Sequence, residues 1–298
     1  MAAGDVAKQL ADFPDIIKVR EALAPYTNLK VGGPAELLVQ PRTADELAAV
    51  VRRCSERSLA FRVLGGGCNI LVRDEGIKGV VVRLSEPAFT EVSVQGQRVR
   101  AGSGASLRAL ISASARRGLA GLETLVGTPG TVGGALRHNA GDGSGEIGQF
   151  VRQVQVLDSA GNIIDRAQDE LQFSYRSSNL DDAVILAGEF ELERDTEPAI
   201  LKRMRKAWIQ RKASQPFSFQ SCARIFKNPP GLVAAALIEQ AELAGTRVGG
   251  AAVSDRDPNF IVTDPGAAAR DVLRLIELVK SRVQERFHVE LELEISVW

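Results

Sequence analysis

The chain has 298 residues, 45% of them hydrophobic and 25% charged, and its net charge is zero because Lys+Arg and Asp+Glu both number 37. This length predicts two or three packed units. A nucleic-acid partner is disfavoured, because proteins that bind nucleic acids usually carry a basic excess. Any anionic ligand must be bound by local groups rather than attracted by the field of the whole molecule.

The residue pattern in the first half of the chain predicts the strands and helices that follow. Residues 35–40 form a strand, and Thr43, with a glutamate three residues later, caps a helix over 44–58. The short apolar strand 61–64 runs directly into three glycines, and a further strand covers 79–84. The elements predicted next are a hairpin over 90–104, a helix over 106–116, a glycine-rich loop region over 118–148, and strands at 151–157, near 163 and at 184–192.

A domain boundary is expected near residue 195. Beyond it we predict a helix over 197–212, a helix over 267–286 and a last strand over 289–297. The expected division is 1–85 and 86–195 for two subdomains and 196–298 for a C-terminal domain. The fold class predicted is α+β.

Targeting, redox and metal signals are weak in this sequence. The N-terminus lacks the basic and then apolar layout of a signal peptide. No stretch comes close to the run of about 18 apolar residues that is needed to span a membrane. Cys54, Cys68 and Cys222 show no CxxC spacing, and there are two histidines, which disfavours a disulfide framework or a metal centre. We therefore expect a cytoplasmic protein without membrane partners or metal.

Four glycine segments, at 31–35, 64–69, 101–104 and 127–134, predict a bound ligand. Glycine lets a ligand approach backbone N–H groups, and a run of such donors can hold a pyrophosphate. One such segment is more often a tight turn, but four of them next to strands or helices favour binding. No GxxxxGK[ST] or GxSxG fingerprint occurs in the sequence, and no GxGxxG follows the first strand. A dinucleotide held by a different scaffold is the remaining interpretation.

The order of motifs resembles that of the UDP-N-acetylenolpyruvoylglucosamine reductase family, which acts in peptidoglycan precursor synthesis. The matching stretches are 27–33, 64–71, 121–123, 127–135, 139–141, 175–178, 225–229, 248–251 and 287–297. They span residues 20 to 297 in collinear order, which is more specific than any single motif. The resemblance implies a two-part FAD-binding region of the vanillyl-alcohol-oxidase (PCMH) type, followed by an α+β substrate-binding domain. The short segment after Arg176 matches the subclass that lacks an additional tyrosine-bearing loop.

With this resemblance, the glycine loops are expected to hold dissociable, non-covalent FAD. The residues expected at FAD are Gly32, Gly33, Leu64, Gly65, Gly66, Gly67, Cys68, Asn69, Ile70, Gly102, Ser103, Gly104, Gly127, Thr128, Pro129, Gly133, Gly134, Asn139 and Gly141. NADPH is the implied reductant, a nucleotide sugar is the implied substrate, and a monomer is expected.

The resemblance also implies the reacting groups. Arg176 matches a catalytic arginine, whose planar guanidinium can hold a carboxylate and stabilise an enolate-like charge, and Glu294 matches a catalytic glutamate. Lys227 and Asn228 match substrate-binding positions, and Tyr175 is expected in the same pocket. Glu290 and Glu292 are interpreted as the solvated face of an edge strand.

One position departs from the family pattern. Arg224 stands where the family has a serine or cysteine proton donor, and arginine is a poor acid because its pKa exceeds about 12. Three accounts stay open: donation by Cys222 or Ser221, donation by water polarised by Arg224, or loss of the reduction.

Two other functions also fit the sequence. The first is an oxidase or dehydrogenase on the same scaffold, with Cys68 or His138 as covalent flavin anchors. The second is a flavin- or nucleotide-sugar-binding module without turnover.

Overall fold

The computed structural model describes residues 3–141, 145–216 and 221–298. Within them, the α-helices are α1 Ala3–Gln9, α2 Ala44–Glu56, α3 Pro87–Thr90, α4 Leu107–Arg116, α5 Val132–Arg137, α6 Glu197–Ser214, α7 Ala234–Gln240 and α8 Ala269–Phe287. The strands are β1 Ile17–Ala22, β2 Pro34–Val39, β3 Phe61–Leu64, β4 Ile70–Leu71, β5 Ile77–Arg83, β6 Val92–Gln95, β7 Arg98–Gly102, β8 Leu119–Ala120, β9 Val151–Leu157, β10 Ile163–Ala167, β11 Phe173–Ser174, β12 Ser177–Ser178, β13 Val184–Glu191, β14 Glu193–Arg194, β15 Cys222–Arg224, β16 Arg247–Val248, β17 Ala251–Val253, β18 Phe260–Thr263 and β19 Ser296–Val297.

The chain divides into two compact units. The first unit comprises Met1–Arg20, Glu36–Gly66 and Lys78–Gln210, and the second comprises Glu21–Ala35, Gly67–Ile77 and Arg211–Trp298. These cut points differ from the boundaries expected at 85 and 195, and the three-part division stays a prediction.

The N-terminal strand–helix–strand prediction is confirmed. Strands β1, β2, β5 and β3 form one sheet in that order, and β3 pairs with β5 in parallel. Helix α2 begins as expected, because the Thr43 hydroxyl accepts a hydrogen bond from the Glu46 N–H. The reciprocal half of the capping box is replaced, since the Glu46 carboxylate accepts from the Arg42 N–H instead. The apolar stripe of α2 is buried in a core that includes Leu37 and Val80.

The second sheet of the first unit has the order β10-β9-β13-β7-β6 and is antiparallel throughout. It includes the predicted hairpin, with Gln95 opposite Arg98 across the turn. Helices α4 and α5 pack their apolar residues with the buried side chains of this sheet, such as Val99, Val154 and Phe190. The predicted strands at 151–157 and 184–192 are its central members.

The second unit contains an antiparallel sheet of order β15-β18-β17-β16. The buried face of α8, including Val272, Leu275 and Val279, shares one apolar core with Ile261 of β18 and Leu237 of α7. The predicted helix at 267–286 is confirmed as α8, and that at 197–212 is confirmed as α6, most of which belongs to the first unit. Within the described residues, no helix is both long enough and apolar enough to cross a bilayer, and no group of three or more potential metal ligands occurs.

The predicted strand over 289–297 is wrong for most of its length. Only β19 is a strand, paired in parallel with β4, while Leu293 makes an isolated bridge with Phe226. The alternating pattern has another cause: Leu291 and Ile295 are buried in the core around α8, so the period reflects side-chain packing rather than a strand ladder.

Asp271, in the first turn of α8, links the start of that helix to the turn between β16 and β17. Its carboxylate accepts from the Gly250 N–H at 3.2 Å and from the Ala268 N–H at 3.2 Å. These bonds, that from Gly250 first, hold the pKa of Asp271 below its ordinary value. A lowered folded-state pKa adds stability at pH values above the ordinary pKa, and this is lost as the pH falls through the lowered one.

We predict that Asp271→Ala lowers the free energy of unfolding at neutral pH by about 1 kcal/mol, the usual cost of losing a helix cap. The difference from the parent should shrink as the pH falls through the lowered pKa of Asp271. Urea unfolding curves at several pH values measure both effects. Asp271→Asn, which keeps an acceptor, is the matched control and should lose less. A difference between parent and Asp271→Ala that is constant with pH would contradict this account.

Candidate functional site

Arg176 lies at the tip of a small hairpin in the first unit. Strands β11 and β12 pair Ser174 with Ser177, so Tyr175 and Arg176 form the two-residue turn. Arg176 has φ +56°, the left-handed region that favours glycine. Retaining a bulky cation in this conformation costs about 1 kcal/mol or more, and such strain is concentrated at functional sites. Six other non-glycine residues of the described chain share this conformation, so the backbone alone does not test the catalytic role of Arg176, which stays a prediction.

The Arg176 side chain is held in place on both sides. Its Nη1 donates to the Gly141 carbonyl, and its guanidinium carbon lies 5.7 Å from the centre of the Tyr175 ring. Tyr175 is 51% exposed, so its ring is a surface on which the guanidinium is supported rather than part of the core. The structure thus brings together Arg176, Tyr175 and Gly141 within the first unit.

Asn139 ties this hairpin to the loop after α5. It is 1% exposed, and its Nδ2 donates to the Ser174 carbonyl at 3.0 Å and to the Glu146 carboxylate at 2.6 Å. Its Oδ1 accepts from the Gly148 N–H at 3.1 Å. The Asn139 amide is therefore bonded within the protein, and its contact with FAD stays a prediction. What the structure shows is a link between the loop after α5 and the strand that leads to Arg176.

The sequence pattern attributes the glycines at 101–104 to N–H groups that bind a pyrophosphate, and the structure gives a different reason for them. The N–H groups of Gly102, Ser103 and Gly104 donate to protein carbonyls, those of Glu91, Leu186 and Phe89. A Cβ on Gly104 would lie 1.8 Å from the Leu84 carbonyl oxygen, and one on Gly102 would lie 2.2 Å from that of Phe89. Glycine is needed here for backbone packing, so these N–H groups do not form a phosphate cradle.

At the start of α5, the glycine N–H groups are likewise hydrogen-bonded within the protein. The Gly133 N–H donates to the Ser103 carbonyl at 2.8 Å, and the Gly134 N–H donates to the Thr131 hydroxyl at 3.4 Å. Gly134 nevertheless differs from Gly102, Gly104 and Gly133, because a Cβ there would make only an ordinary contact, 3.6 Å from Thr131 Oγ1. Gly134 is also exposed. The protein itself does not require glycine at 134.

Two predicted flavin loops of the first unit lie next to each other. A Cβ on Gly65 would lie 2.8 Å from Thr131 Oγ1, so the glycines after β3 adjoin the start of α5. Gly66, Pro129 and Gly134 are exposed there, while Leu64 is buried beneath. A surface with so few side chains fits the close approach of a large flat cofactor such as FAD.

The other predicted FAD residues are placed as follows. In the first unit, Gly127 has φ +82° and the Thr128 N–H donates to the Leu125 carbonyl. In the second unit, Cβ atoms on Gly32, Gly33 and Gly67 would meet Val72, the Asp74 carbonyl oxygen and the Tyr26 carbonyl oxygen, and Ile70 begins β4. For Gly32, Gly33 and Gly67, close backbone packing explains the glycine. Contact of these residues with FAD stays a prediction.

In the second unit, Asn69 and Glu294 are neighbours. Asn69 Nδ2 donates to the Glu294 carbonyl at 3.0 Å, and the Asn69 carbonyl accepts from the Ser296 N–H at 3.0 Å. On its other side, the Glu294 N–H donates to the Ile225 carbonyl at 2.8 Å. The structure therefore joins the predicted catalytic glutamate to the segment that carries Arg224, Lys227 and Asn228.

That segment has two further contacts of note. Lys227 Nζ lies 2.5 Å from the Glu292 carboxylate, so Glu292 is not merely a solvated residue as the sequence suggested. Asn228 Oδ1 accepts from the Ala234 N–H at the start of α7 at 3.0 Å. Glu292 is 73% exposed, and a pair of this kind opens at little cost when an anion competes for the lysine.

Arg224, at the end of β15, is paired rather than isolated. Its Nη2 lies 3.1 Å from Asp257 Oδ2, and its guanidinium carbon lies 4.9 Å from the centre of the Phe260 ring. Cys222 lies two residues earlier on the same strand and therefore on the same face of the sheet. Burial raises the pKa of the Cys222 thiol, which keeps it protonated and makes it a weaker acid.

Asp257 and Asn259 contact the predicted site and were not anticipated from the sequence. They lie between β17 and β18 in a stretch whose only pattern is that of a polar turn. Glu123 was also missed as an individual residue: it is 7% exposed and binds the Gly121 N–H and Arg203. In the sequence, the one signal for such residues is that an acid or an amide occurs inside a segment that carries a motif. That signal does not show which of these acids and amides are buried.

Comparisons with known proteins match different family profiles to the earlier and the C-terminal parts of the chain. The profile described as an FAD binding domain matches residues 35–166, and that described as the C-terminal domain of UDP-N-acetylenolpyruvoylglucosamine reductase matches 215–298. The chain is 38% identical over 297 residues to such a reductase from Clostridium novyi, covering 98% of this chain and 96% of that one. It is 40% identical over 287 residues to a second from Symbiobacterium thermophilum, covering 96% and 93%.

Solved structures show the same likeness. The reductase from Thermus caldophilus superposes with a TM-score of 0.82 at 38% identity, over 95% of this chain and 99% of that one. Phl p 4, a grass pollen allergen with glucose dehydrogenase activity, superposes with a TM-score of 0.52 at 17% identity, over 64% and 44%. The second match shows the fold alone. The predicted fold class, an FAD-binding region of the PCMH type followed by a reductase-type C-terminal domain, is confirmed.

We predict that Gly134→Ala weakens FAD binding by about tenfold or more, because a methyl group there would meet the ligand and not the protein. The free energy of unfolding should stay equal or rise by up to about 1 kcal/mol, since alanine favours helix over glycine. Titration of apoprotein with FAD and urea unfolding measure the two effects. Gly104→Ala is the contrasting variant and should destabilise the fold itself. Unchanged FAD affinity in Gly134→Ala would show that the cofactor does not approach there.

Proposed function

Because the chain belongs to the UDP-N-acetylenolpyruvoylglucosamine reductase family, we propose that it reduces UDP-N-acetylglucosamine enolpyruvate to UDP-N-acetylmuramate with NADPH and bound FAD. The observation that carries this proposal is the near full-length match to reductases, which extends over both the FAD-binding and the C-terminal parts. The contacts that hold the Arg176 guanidinium and the Glu294 backbone are consistent with this reaction.

FAD, when bound, would supply the hydride chemistry for the enolpyruvyl double bond, with NADPH as the source of the electrons. The protein then has three tasks: to hold the substrate carboxylate, to stabilise the negative charge that develops beside it, and to deliver a proton to the neighbouring carbon. Arg176 suits the first two, because its guanidinium is fixed by Gly141 and Tyr175 and can donate two parallel hydrogen bonds to a carboxylate.

Lys227 and Asn228 would bind the nucleotide-sugar diphosphate. A phosphate can displace the exposed Glu292 from Lys227, since the pair gains little in water. Glu294, whose backbone carbonyl and N–H are both hydrogen-bonded, would act beside the same segment.

The proton has to reach the substrate from a group other than Arg224 itself, because a guanidinium does not release a proton near neutral pH. Cys222 remains a candidate, as it is protonated and on the face of the sheet that carries Arg224. Ser221 and water bound to Arg224 are the alternatives.

The setting follows from the reaction. We place the protein in peptidoglycan precursor synthesis in the cytoplasm, as a monomer, and thereby in cell-wall biogenesis, cell shape and division. NADPH is the proposed reductant.

Steady-state assay tests the function: NADPH oxidation should depend on the enolpyruvyl sugar, and the product should be heavier than the substrate by two hydrogens. Arg176→Ala should lower kcat by about 100-fold or more, because it removes charge stabilisation that matters most in the transition state. Tyr175→Phe, which keeps the ring under the guanidinium, is the matched control and should change kcat little. NADPH oxidation with oxygen alone, without a reduced sugar product, would contradict the proposal and indicate an oxidase.

We also predict that the flavin is dissociable. Burial raises the pKa of the Cys68 thiol to about 11, and a thiol in that state is a poor nucleophile for a covalent flavin bond. After acid precipitation, flavin absorbance should be found in the supernatant. Flavin that stays with the protein pellet would contradict this, and loss of the bond in His138→Ala or Cys68→Ser would identify the anchor.

A further inference from the structure

The loop 254–259 fixes the backbone of the segment after β15. Asn259 is 1% exposed, and its side-chain amide makes both hydrogen bonds of Phe226: Oδ1 accepts from the Phe226 N–H at 2.9 Å, and Nδ2 donates to the Phe226 carbonyl at 2.8 Å. The Asn259 carbonyl accepts from the Ile225 N–H at 2.9 Å. The chain between Arg224 and Lys227 is therefore held in one register.

Asp257 joins this loop to Arg224. One carboxylate oxygen accepts from Arg224 Nη2 at 3.1 Å, and the other accepts from the Asn259 N–H at 3.0 Å. The Asp257 side chain is 13% exposed and that of Arg224 is 27% exposed, so the pair is shielded but the guanidinium keeps an open edge. The ring of Phe260, which pairs with Arg224 across the strands, supports the guanidinium from a second side.

An exposed ion pair in the same unit shows the contrast. Arg247 and Asp264 also form a salt bridge, but their side chains are 53% and 55% exposed. Such a pair can rotate and exchange partners with water at little cost. The shielded pair cannot, because removing one member leaves the other poorly solvated and uncompensated.

We propose that Asp257 is a positioning residue for the reduction, and that Arg224 acts at the substrate only as a member of the Arg224–Asp257 pair. This inference rests on the proposed function. Asp257 directs the open N–H groups of Arg224 and cancels most of its net charge. Arg224 therefore presents hydrogen-bond donors of fixed direction to the substrate or to a water, next to Ile225, whose carbonyl accepts from the Glu294 N–H.

The proposed pairing of Arg224 with Asp257 predicts how each single variant should behave. Arg224→Ser leaves the Asp257 carboxylate shielded and without its cation, so serine alone should not restore a simple proton donor. Asp257→Asn leaves Arg224 with its full charge and a weaker anchor. Once either partner is lost, loss of the other should add little.

A double-mutant cycle tests this with Arg224→Ser, Asp257→Asn and the double variant. In anaerobic stopped flow, each NADPH-reduced protein is mixed with the enolpyruvyl sugar and the rate of flavin reoxidation is measured. We expect Asp257→Asn to slow reoxidation by about tenfold, with the double variant no slower than the slower single variant. The rate of flavin reduction by NADPH, measured in the same samples, should change by less than about twofold. A general loss of folding would lower this rate as well, so the measurement separates the two causes.

Asp264→Asn is the matched control for loss of a carboxylate in the second unit and should leave both rates unchanged. Asp257→Glu, which keeps the charge, should recover part of the reoxidation rate. If the effects of the two single variants multiply in the double variant, or if Asp257→Asn reoxidises as fast as the parent, the inference is wrong while the proposed function stands. A parent protein that NADPH reduces but the sugar does not reoxidise contradicts the proposed function, and the inference with it.

Discussion

Buried loop backbone has to find hydrogen-bond partners, because an unpaired buried N–H or carbonyl costs free energy comparable to a lost hydrogen bond. In each unit an asparagine side chain supplies them. Asn139 serves the loop after α5 and the strand that leads to Arg176, and Asn259 serves both polar groups of Phe226. Both are 1% exposed. The side chains predicted to react are thus carried near irregular segments, in which buried amides supply hydrogen bonds in place of a regular ladder.

The glycine segments show how a pattern that indicates a cofactor can also have a cause in the packing of the protein. Their positions indicated a cofactor, and the FAD-binding match over 35–166 agrees. The structure nevertheless assigns much of the glycine requirement to packing, since the amides around Gly102 and Gly133 donate to protein carbonyls. Close backbone packing and close ligand approach both select for glycine, and a sequence cannot distinguish them. Gly134 is separable only because the structure shows room for a Cβ.

Regular elements could be predicted from the sequence, because their signals are local. Thr43 marks the start of α2, and the apolar period of α8 marks its buried face. The last predicted strand was wrong because alternating residues such as Leu291 and Ile295 pack on α8 without pairing with a neighbouring strand. Asp257 and Asn259 could not be found in this way, because their roles depend on hydrogen bonds to residues more than thirty positions away.

Arg224 stands at the position where the resemblance to the family predicts a proton donor, and the structure shows the contacts that surround this arginine. The arginine is stacked on Phe260 and paired with Asp257, so the site contains a fixed hydrogen-bond donor in place of an acid. The central claim is that reduction still occurs there.

The visible spectrum of the purified protein through one anaerobic turnover tests that claim most directly. The account predicts a flavin band that bleaches with NADPH and returns when the enolpyruvyl sugar is added. A band that bleaches and stays bleached in the presence of the sugar would contradict it.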